Sequence, residues 1–222
     1  LGRGLSARTV MHAHRVLSGS LNHGVKRGLL TRNICESVDP PKPIKKEMAT
    51  LRRNDMKLFL DASRESPYRE VFLLALYTGM RRSVLLGLSW SAIDLDLQML
   101  TVSQTLIRIT GQGLKTMKPK SNKSLRQVNL SPEAVVMLRE LKDRSIQLLG
   151  QNWNESGYVF CRADGTPFDP DTITHAFASM IKKACINHLR FHDLRHTHDT
   201  ILMEQGINPK TFAERLGHAS VV

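Results

Sequence analysis

Apolar residues recur at helical spacing over much of the chain, and this pattern predicts a largely helical protein. Near the start, Val10, Leu17 and Val25 fall on one face of a segment that Ser6 can cap and Gly28 can end. The spacing therefore predicts a helix between Ser6 and Gly28, with an apolar stripe that needs a partner to cover it.

The same signals predict seven further helices, with caps and stops at their ends. They cover Asn54–Ala62, Arg69–Thr78, Arg82–Gly87, the segment from Ser131-Pro132 through Leu148, Asp169–Ala184, Phe191–Gly206 and Pro209–Leu216. The helix over Arg69–Thr78 is apolar on nearly every side, which is typical of a helix at the centre of a core. It is the natural anchor of the fold.

Alternating apolar and polar residues predict only a small amount of sheet. Met99–Ile109 alternates, Gly111 and Gly113 break the pattern, and Arg126–Leu130 alternates again, which predicts two strands joined by a long polar turn. Tyr158–Phe160 is a further candidate strand. The sum is an α+β fold, mostly α-helical, with a small antiparallel sheet or hairpin.

A basic, proline-rich segment, Asp39–Lys46, interrupts the helical pattern. Its three prolines and three lysines bury little, so the segment is predicted to be an extended linker at a domain boundary. The residues before it are too few to form a core alone. We therefore expect residues 1–42 to be the end of a truncated helical domain with its linker, and residues 43–222 to be a second domain.

The charge balance narrows the choice of partner. Lys plus Arg is 32 and Asp plus Glu is 20, which gives a net charge of +12. This excess favours a polyanionic partner, with nucleic acid first and an anionic membrane surface second. The alternative is that the charges are spread over a solvated surface with no such partner. No apolar run is long enough to span a bilayer, and no signal peptide is recognisable. Three widely spaced cysteines indicate reduced thiols and a cytoplasmic location.

Four short segments carry chemistry-bearing side chains, although each alone is a weak signal. Gly79 allows a turn that brings Arg81 to the edge of the core, and His192 and Arg195 share a helix face where they can hold one phosphate. The others are a Pro-Lys-Ser turn with Lys120, followed by Arg-x-Val-x-Leu, and a Leu-Gly-His segment with His218. The alternatives are surface charges and an ordinary loop histidine.

Taken in order, these four segments resemble the tyrosine recombinase, or phage integrase, family. The resemblance runs from Ala49 to Val222, and the stretch Leu5–Lys42 resembles the end of the family's helical core-binding domain. It implies a catalytic domain of the DNA breaking-rejoining type over residues 43–222. It also maps the family's phosphate-binding set onto Arg81, Lys120, His192, Arg195 and His218.

The resemblance also implies the roles of these residues. Arg81 and Arg195, helped by His218, would stabilise charge on the phosphodiester oxygens, and Lys120 would protonate the leaving 5′ oxygen. His192 would accept the proton of the nucleophile or hydrogen-bond the phosphate. The intermediate would be a 3′-phosphotyrosine, so that rejoining needs no ATP, metal or other cofactor.

Two departures from the family pattern bear on activity. The family's nucleophilic tyrosine lies about nine residues beyond the Leu-Gly-His histidine, a position past Val222, and the tyrosines at positions 68, 77 and 158 do not match it. The nucleophile is therefore expected outside this chain, and the fragment itself is expected not to cleave. Val84 stands where the family usually has an acidic residue, whether by natural variation or by design.

Further basic residues are candidate DNA contacts or, alternatively, solvated charges. They are Lys42, Lys45 and Lys46 in the linker, and Lys115, Lys118 and Lys123 in and around the predicted hairpin. A zinc site at His192 and His196 has the right spacing, but Asp193 replaces the Glu of zinc-protease motifs, so no metal is predicted. We expect His196 to pack inward with a hydrogen bond and His198 to be partly exposed.

The predicted function is site-specific recombination or integration of double-stranded DNA for a phage or other mobile element. By the resemblance, the full-length protein would act as a homotetramer on paired DNA sites, and this fragment would be monomeric and without a membrane partner. Two alternatives stay open: a DNA-binding relative that has lost the reaction, and an enzyme like a type IB topoisomerase.

Overall fold

The structure is a computed structural model that describes residues 4–44, 49–117, 126–187 and 189–206. The chain divides into two compact units, Leu1–Glu47 and Met48–Val222. Among the described residues, no helix combines the length and the apolar character needed to cross a membrane. Each unit is built on helices that the sequence pattern predicts.

The first unit is organised by one long helix, α1, Ala7–Lys26. The Ser6 side chain caps it by accepting a hydrogen bond from the backbone of Thr9, as predicted. A short 3-10 turn, Ile34–Ser37, follows, and buried Asn33 ties it to α1 by donating to Ser18 Oγ at 2.9 Å. The helix is confirmed, but none of its residues is fully buried: Val10 and Leu17 are exposed, and Val25 is half-buried.

The helices of the second unit match the predicted segments to within one or two residues at most ends. They are α2 (Arg53–Arg64), α3 (Arg69–Thr78), α4 (Arg82–Leu86), α5 (Pro132–Leu149), α6 (Pro170–Lys183) and α7 (Asp193–Glu204). Ser131 and Asp169 cap α5 and α6 with their side chains, as predicted. Short 3-10 turns lie at Trp90–Ala92 and Gly150–Asn152.

Helix α3 is the centre of the second unit, as its uniformly apolar sequence predicts. Six consecutive side chains, from Val71 to Leu76, are buried. The rings of Phe72 and Phe177 meet edge to face at 5.2 Å, and Phe177 meets Phe191 in the same way at 5.5 Å. This aromatic chain fixes α3, α6 and the residues just before α7 against one another, which sets the position of the start of α7.

The β-structure differs from the predicted pair of strands. One sheet has the order β1 (Ile93–Asp94), β2 (Met99–Val102), β5 (Arg126–Asn129), all antiparallel, with Leu100 opposite Val128 and Val102 opposite Arg126. The other pairs β3 (Thr105–Ile109) with β4 (Gly113–Met117). The segment Met99–Ile109 is therefore two strands in two sheets, and a tight turn at the glycines leads into a strand that was predicted as part of a loop.

The break between β2 and β3 has a tertiary cause. Strand β3 passes so close to Gly87, at the end of α4, that a Cβ there would lie 2.9 Å from the Leu106 nitrogen. The Gln104 side chain donates to the Gly87 carbonyl at 2.7 Å and holds this contact. Leu100, Val102 and Leu106 keep the same two-residue period on both sides of Gln104, so the pattern does not reveal the break. Strand β4 is mostly exposed, so it carries no periodic signal.

Two further predicted elements are the strand over Tyr158–Phe160 and the helix over Pro209–Leu216. Tyr158–Phe160 is not a ladder strand, since Tyr158 forms only an isolated bridge with Ser89. Its neighbours Val159 and Phe160 are buried, which explains their apolar character without a sheet. The helix predicted over Pro209–Leu216 lies outside the described residues.

Val84, which stands where the resemblance implies a carboxylate, is a core residue on α4 and only 4% exposed. We expect Val84→Glu to lower the free energy of unfolding by about 3 kcal/mol, because burial of a carboxylate without a designed partner is costly. Urea unfolding measures the change. Val136→Glu is the matched control, since Val136 is 57% exposed on α5. Equal stability of the two variants would contradict the buried position of Val84.

Candidate functional site

The turn between α3 and α4 presents Arg81 to solvent. Gly79 ends α3 with φ 61° and ψ 14°, a left-handed conformation that glycine adopts without strain. Arg81 follows in an extended conformation at the N-cap position of α4, and its carbonyl accepts from the backbone of Val84 at 2.9 Å. Its backbone is thereby fixed while its side chain is exposed, as the sequence analysis predicts.

Arg195, on the first turns of α7, is bound to that same loop. Its side chain is only 3% exposed, and Nη1 donates to the Gly79 carbonyl at 2.9 Å. That carbonyl lies at the C-terminal end of α3, where helix carbonyls lack helical partners and the helix dipole favours a cation. The two segments that carry Arg81 and Arg195 are therefore joined directly by one hydrogen bond.

The residues just before α7 are held by a fully buried carboxylate. Asp193 accepts hydrogen bonds from the backbone, Nε and Nη2 of Arg190 at 2.8, 3.0 and 2.9 Å. Burial alone would raise the pKa of Asp193, but the hydrogen bonds and charge of Arg190 outweigh it and hold that pKa below its usual value. The arrangement fixes the backbone of His192 between two anchored neighbours, Phe191 and Asp193.

Arg195 lies in a strongly positive environment. Burial, and then the charge of Arg81, lowers the pKa of Arg195 to about 10, with Asp199 opposing the shift and Arg126 adding to it. A pKa near that value still leaves the guanidinium charged at neutral pH. Asp199 is a half-buried carboxylate whose own pKa is raised by burial, against the attraction of Arg195 and His196. Asp199 is the acidic group that acts on Arg195, and the sequence places it in a dense cluster with His192, His196 and His198.

His192 belongs to the same group and is biased toward its neutral form. Its ring meets that of His196 edge to face, with 5.4 Å between centroids. Partial burial lowers the pKa of His192, and the charges of His196, Arg195 and Arg81 lower it further, while Asp193 opposes them. A neutral imidazole beside two permanent cations can accept a proton, and a bound anion would favour the charged ring.

Arg126, at the start of β5, also lies in this group, and the sequence analysis assigned it no role. Burial, and then the charge of Arg81, lowers the pKa of Arg126. Its Nε and Nη2 are buried and have no hydrogen-bond partner in the described part of the chain. Arg126 is the first residue of the Arg-x-Val-x-Leu motif, but nothing in a single sequence shows that the charge of Arg81 acts on it.

The structure thus brings Arg81, His192 and Arg195 together. Lys120 and His218, the other two members of the predicted set, lie outside the described residues, as do Lys45, Lys46, Lys118 and Lys123. Lys42 and Lys115 are exposed. The roles of all these residues stay predictions.

Two other expectations can be compared with the structure. His198 is partly exposed, as predicted, but His196 is half-buried and not part of the core. The hydrogen bond to a core residue is made by His198, whose Nδ1 lies 2.9 Å from the Leu76 carbonyl. The prediction for His196 was therefore wrong, because a rotation of about 200° along α7 separates the two rings. Within the described ranges, no group of three or more His, Cys, Asp or Glu side chains is placed to hold a metal ion.

Comparison with known proteins shows the family of this chain. Residues 49–222 match the model of the phage integrase family. The chain belongs to that family. The match covers nearly all of the second unit, including the α3–α4 turn and α7 that carry the cluster.

Relatives of this integrase-family chain extend the likeness into the first unit. A protein described as tyrosine recombinase XerC-like, from Caldanaerobacter subterraneus subsp. tengcongensis, is 29% identical over 242 aligned residues and aligns with 99% of the chain. The ICEBs1 integrase of Bacillus subtilis is 29% identical and aligns with 98% of it. The chain covers only 61% and 60% of those two proteins, so it spans about three fifths of the length of the curated relatives it matches.

A solved structure supports the fold of the integrase-family chain. The Tn1549 transposon integrase, in complex with a circular intermediate DNA, superposes with a TM-score of 0.84 at 22% identity. The superposition covers 98% of this chain and 73% of that one. This likeness confirms the predicted fold, a mostly helical α+β arrangement with small antiparallel sheets.

The environment of His192 predicts its titration. We expect its ring to titrate below 6.5 in a buffer free of multivalent anions, because burial and neighbouring cations disfavour the imidazolium. Its contribution to stability should be present above the unfolded pKa and lost as pH falls through the folded pKa. NMR titration of the ring signals measures the midpoint, with His192→Gln to assign them. A midpoint at or above 6.5 would contradict the positive environment.

Proposed function

We propose that this chain forms the phosphate-binding part of a site-specific DNA recombinase, acting on double-stranded DNA in the cell's cytoplasm. The observation that carries the proposal is the cluster of Arg81, His192 and Arg195, in which a buried arginine is hydrogen-bonded to the turn that presents an exposed one. Membership of the phage integrase family supports the same reaction class. The net charge of +12 supports a polyanionic substrate.

The cluster suits the transfer of a phosphodiester. Attack by a hydroxyl places negative charge on the non-bridging oxygens, and two arginines provide fixed charges that need no rearrangement during the reaction. The neutral bias of His192 suits a group that accepts the proton of the nucleophile. Lys120 as general acid and His218 as a further hydrogen-bond donor complete the proposed set.

The proposed nucleophile is a tyrosine supplied from outside the chain. Three tyrosines are described, and their contacts support other roles. The Tyr158 hydroxyl bonds the Thr116 hydroxyl at 2.6 Å, and the Tyr68 ring packs edge to face on Phe168 at 5.1 Å. Burial, and then the charge of Glu133, raises the pKa of Tyr77, which disfavours the phenolate. The recombinase would act as a tetramer on paired DNA sites.

DNA binding tests the electrostatic part of this proposal. The logarithm of the affinity for duplex DNA should fall steeply with the logarithm of salt concentration, and Arg81→Gln should reduce the slope by about 1, the loss of one phosphate contact. Arg81 is exposed, so its replacement should leave the fold intact. Arg139→Gln is the control, because it removes the same charge from a different place. Arg139 lies on α5 and pairs with Asp96 at 2.7 Å. Equal slope changes in both variants would indicate diffuse binding with no phosphate site at Arg81.

Covalent trapping tests the reaction. A protein extended past Val222 should form a covalent adduct with a nicked DNA duplex, because cleavage releases a short strand that cannot be rejoined. The adduct should also form in the presence of EDTA. Arg81→Gln should slow adduct formation about 100-fold or more, because charge on the phosphate then loses a fixed donor. Arg139→Gln should react at the parental rate. A reaction that needs a divalent metal, or that survives Arg81→Gln, would oppose the proposed chemistry.

A further inference from the structure

Arg126 is the described basic residue of the cluster whose side chain has no assigned task. It starts β5, opposite Val102 of β2, and its strand position makes its backbone part of a sheet. Its guanidinium is half-buried, and the charges that act on it come from Arg81. A residue kept for strand structure alone would not need a guanidinium there, since a β-branched residue stabilises a strand better.

The two unpartnered atoms of Arg126 define a binding edge. Nε and Nη2 lie on the same side of the guanidinium, and together they form the side-on fork that binds two oxygens of one carboxylate or phosphate. Both atoms are buried and lack a hydrogen-bond partner within the described residues. Leaving such donors unsatisfied costs free energy, more so when the group is charged.

The surroundings of this fork select an anion. Arg81 lowers the pKa of both Arg126 and Arg195, and Arg126 lowers that of Arg195, so the three like charges repel one another. The acidic neighbour Asp199 acts on Arg195 and is not among the groups that shift the pKa of Arg126. Buried arginines are normally held by carboxylates. Here a ligand with several negatively charged oxygens would satisfy the fork and remove the repulsion.

We propose that Arg126 is a third phosphate-binding arginine of the site, and that it holds the DNA phosphodiester together with Arg81 and Arg195. This inference rests on the proposed function and adds a contact to it. Arg81 is exposed, so a phosphate in solvent can reach its guanidinium. The side-on fork of Arg126 then binds the oxygens from the side of the sheet, and Arg195 binds them from the side of α7.

The proposal predicts that replacing Arg126 weakens anion binding without lowering the stability of the protein. In a buffer with chloride as the only anion, Arg126→Gln should be as stable as the parent or more stable, because an unsatisfied buried charge and its repulsion with Arg81 are removed. Sulfate, a tetrahedral mimic of the phosphate, should stabilise the parent by mass action. Arg126→Gln should bind sulfate about tenfold more weakly or worse, the effect of losing a charge-assisted hydrogen bond.

The measurement is thermal unfolding over a sulfate titration, with ionic strength held constant by sodium chloride. Arg126→Lys keeps the charge but not the fork, so it should recover only part of the sulfate affinity. Arg139→Gln is the matched control and should bind sulfate as the parent does. A marked loss of stability in chloride for Arg126→Gln would overturn the proposal, because it would show that the side chain is part of the scaffold.

The Arg81→Gln variant separates the two proposals. If Arg81→Gln weakens sulfate binding and Arg126→Gln does not, the further inference is wrong and the proposed phosphate site stands. If sulfate stabilises the parent no more than chloride at equal ionic strength, the phosphate site itself is contradicted. If Arg81→Gln and Arg126→Gln both weaken sulfate binding and Arg139→Gln does not, the three-arginine site is supported.

Discussion

The hydrogen bond from the buried Arg195 guanidinium to the Gly79 carbonyl is the interaction on which the site depends. Its two ends are 116 positions apart in the chain, and one lies on α7 while the other ends α3. A carbonyl at a helix end has no helical donor, and the dipole of the helix favours a positive charge there. A guanidinium therefore satisfies a group that the helix leaves open, and the same contact sets Arg195 beside the turn that carries Arg81.

The cluster collects positive charge at a cost to the folded chain. Burial and mutual repulsion lower the pKa of both Arg195 and Arg126, and they bias His192 toward its neutral form. The consequences differ with the chemistry of each group. Arginines keep their charge at neutral pH, so they can only hold an anion, whereas an imidazole can exchange a proton. A strained arrangement of this kind is typical of sites that gain stability when an anion binds.

The scaffold around the cluster is rigid for reasons that have little to do with charge. The edge-to-face contacts of Phe72, Phe177 and Phe191 fix the entry to α7, and the Asp193 carboxylate fixes the turn by three hydrogen bonds from Arg190. A small displacement of a charged group changes its interaction with a phosphate substantially, so precise packing behind the site serves function as well as stability. The residues proposed to bind phosphate stand at helix ends and a strand end that this packing holds in place.

Much of this architecture follows from the sequence by itself. Apolar spacing and capping residues are local signals, and they predicted the helices of the second unit, including the buried α3. The order of four short motifs identified the family and three described members of the cluster, Arg81, His192 and Arg195. These features are predictable because each depends on residues close together in the chain or on a motif that keeps its order.

Only the tertiary structure decided the rest, because the interactions involved join distant segments. Alternation from Met99 to Ile109 predicted one strand, and the close approach of β3 to Gly87 divided it into two sheets. Helical spacing alone did not show which histidine of α7 reaches the core, since that depends on the carbonyl of Leu76. The charge of Arg81 likewise acts on Arg126 only because the folded chain brings the two segments near each other. No local sequence pattern indicates this interaction.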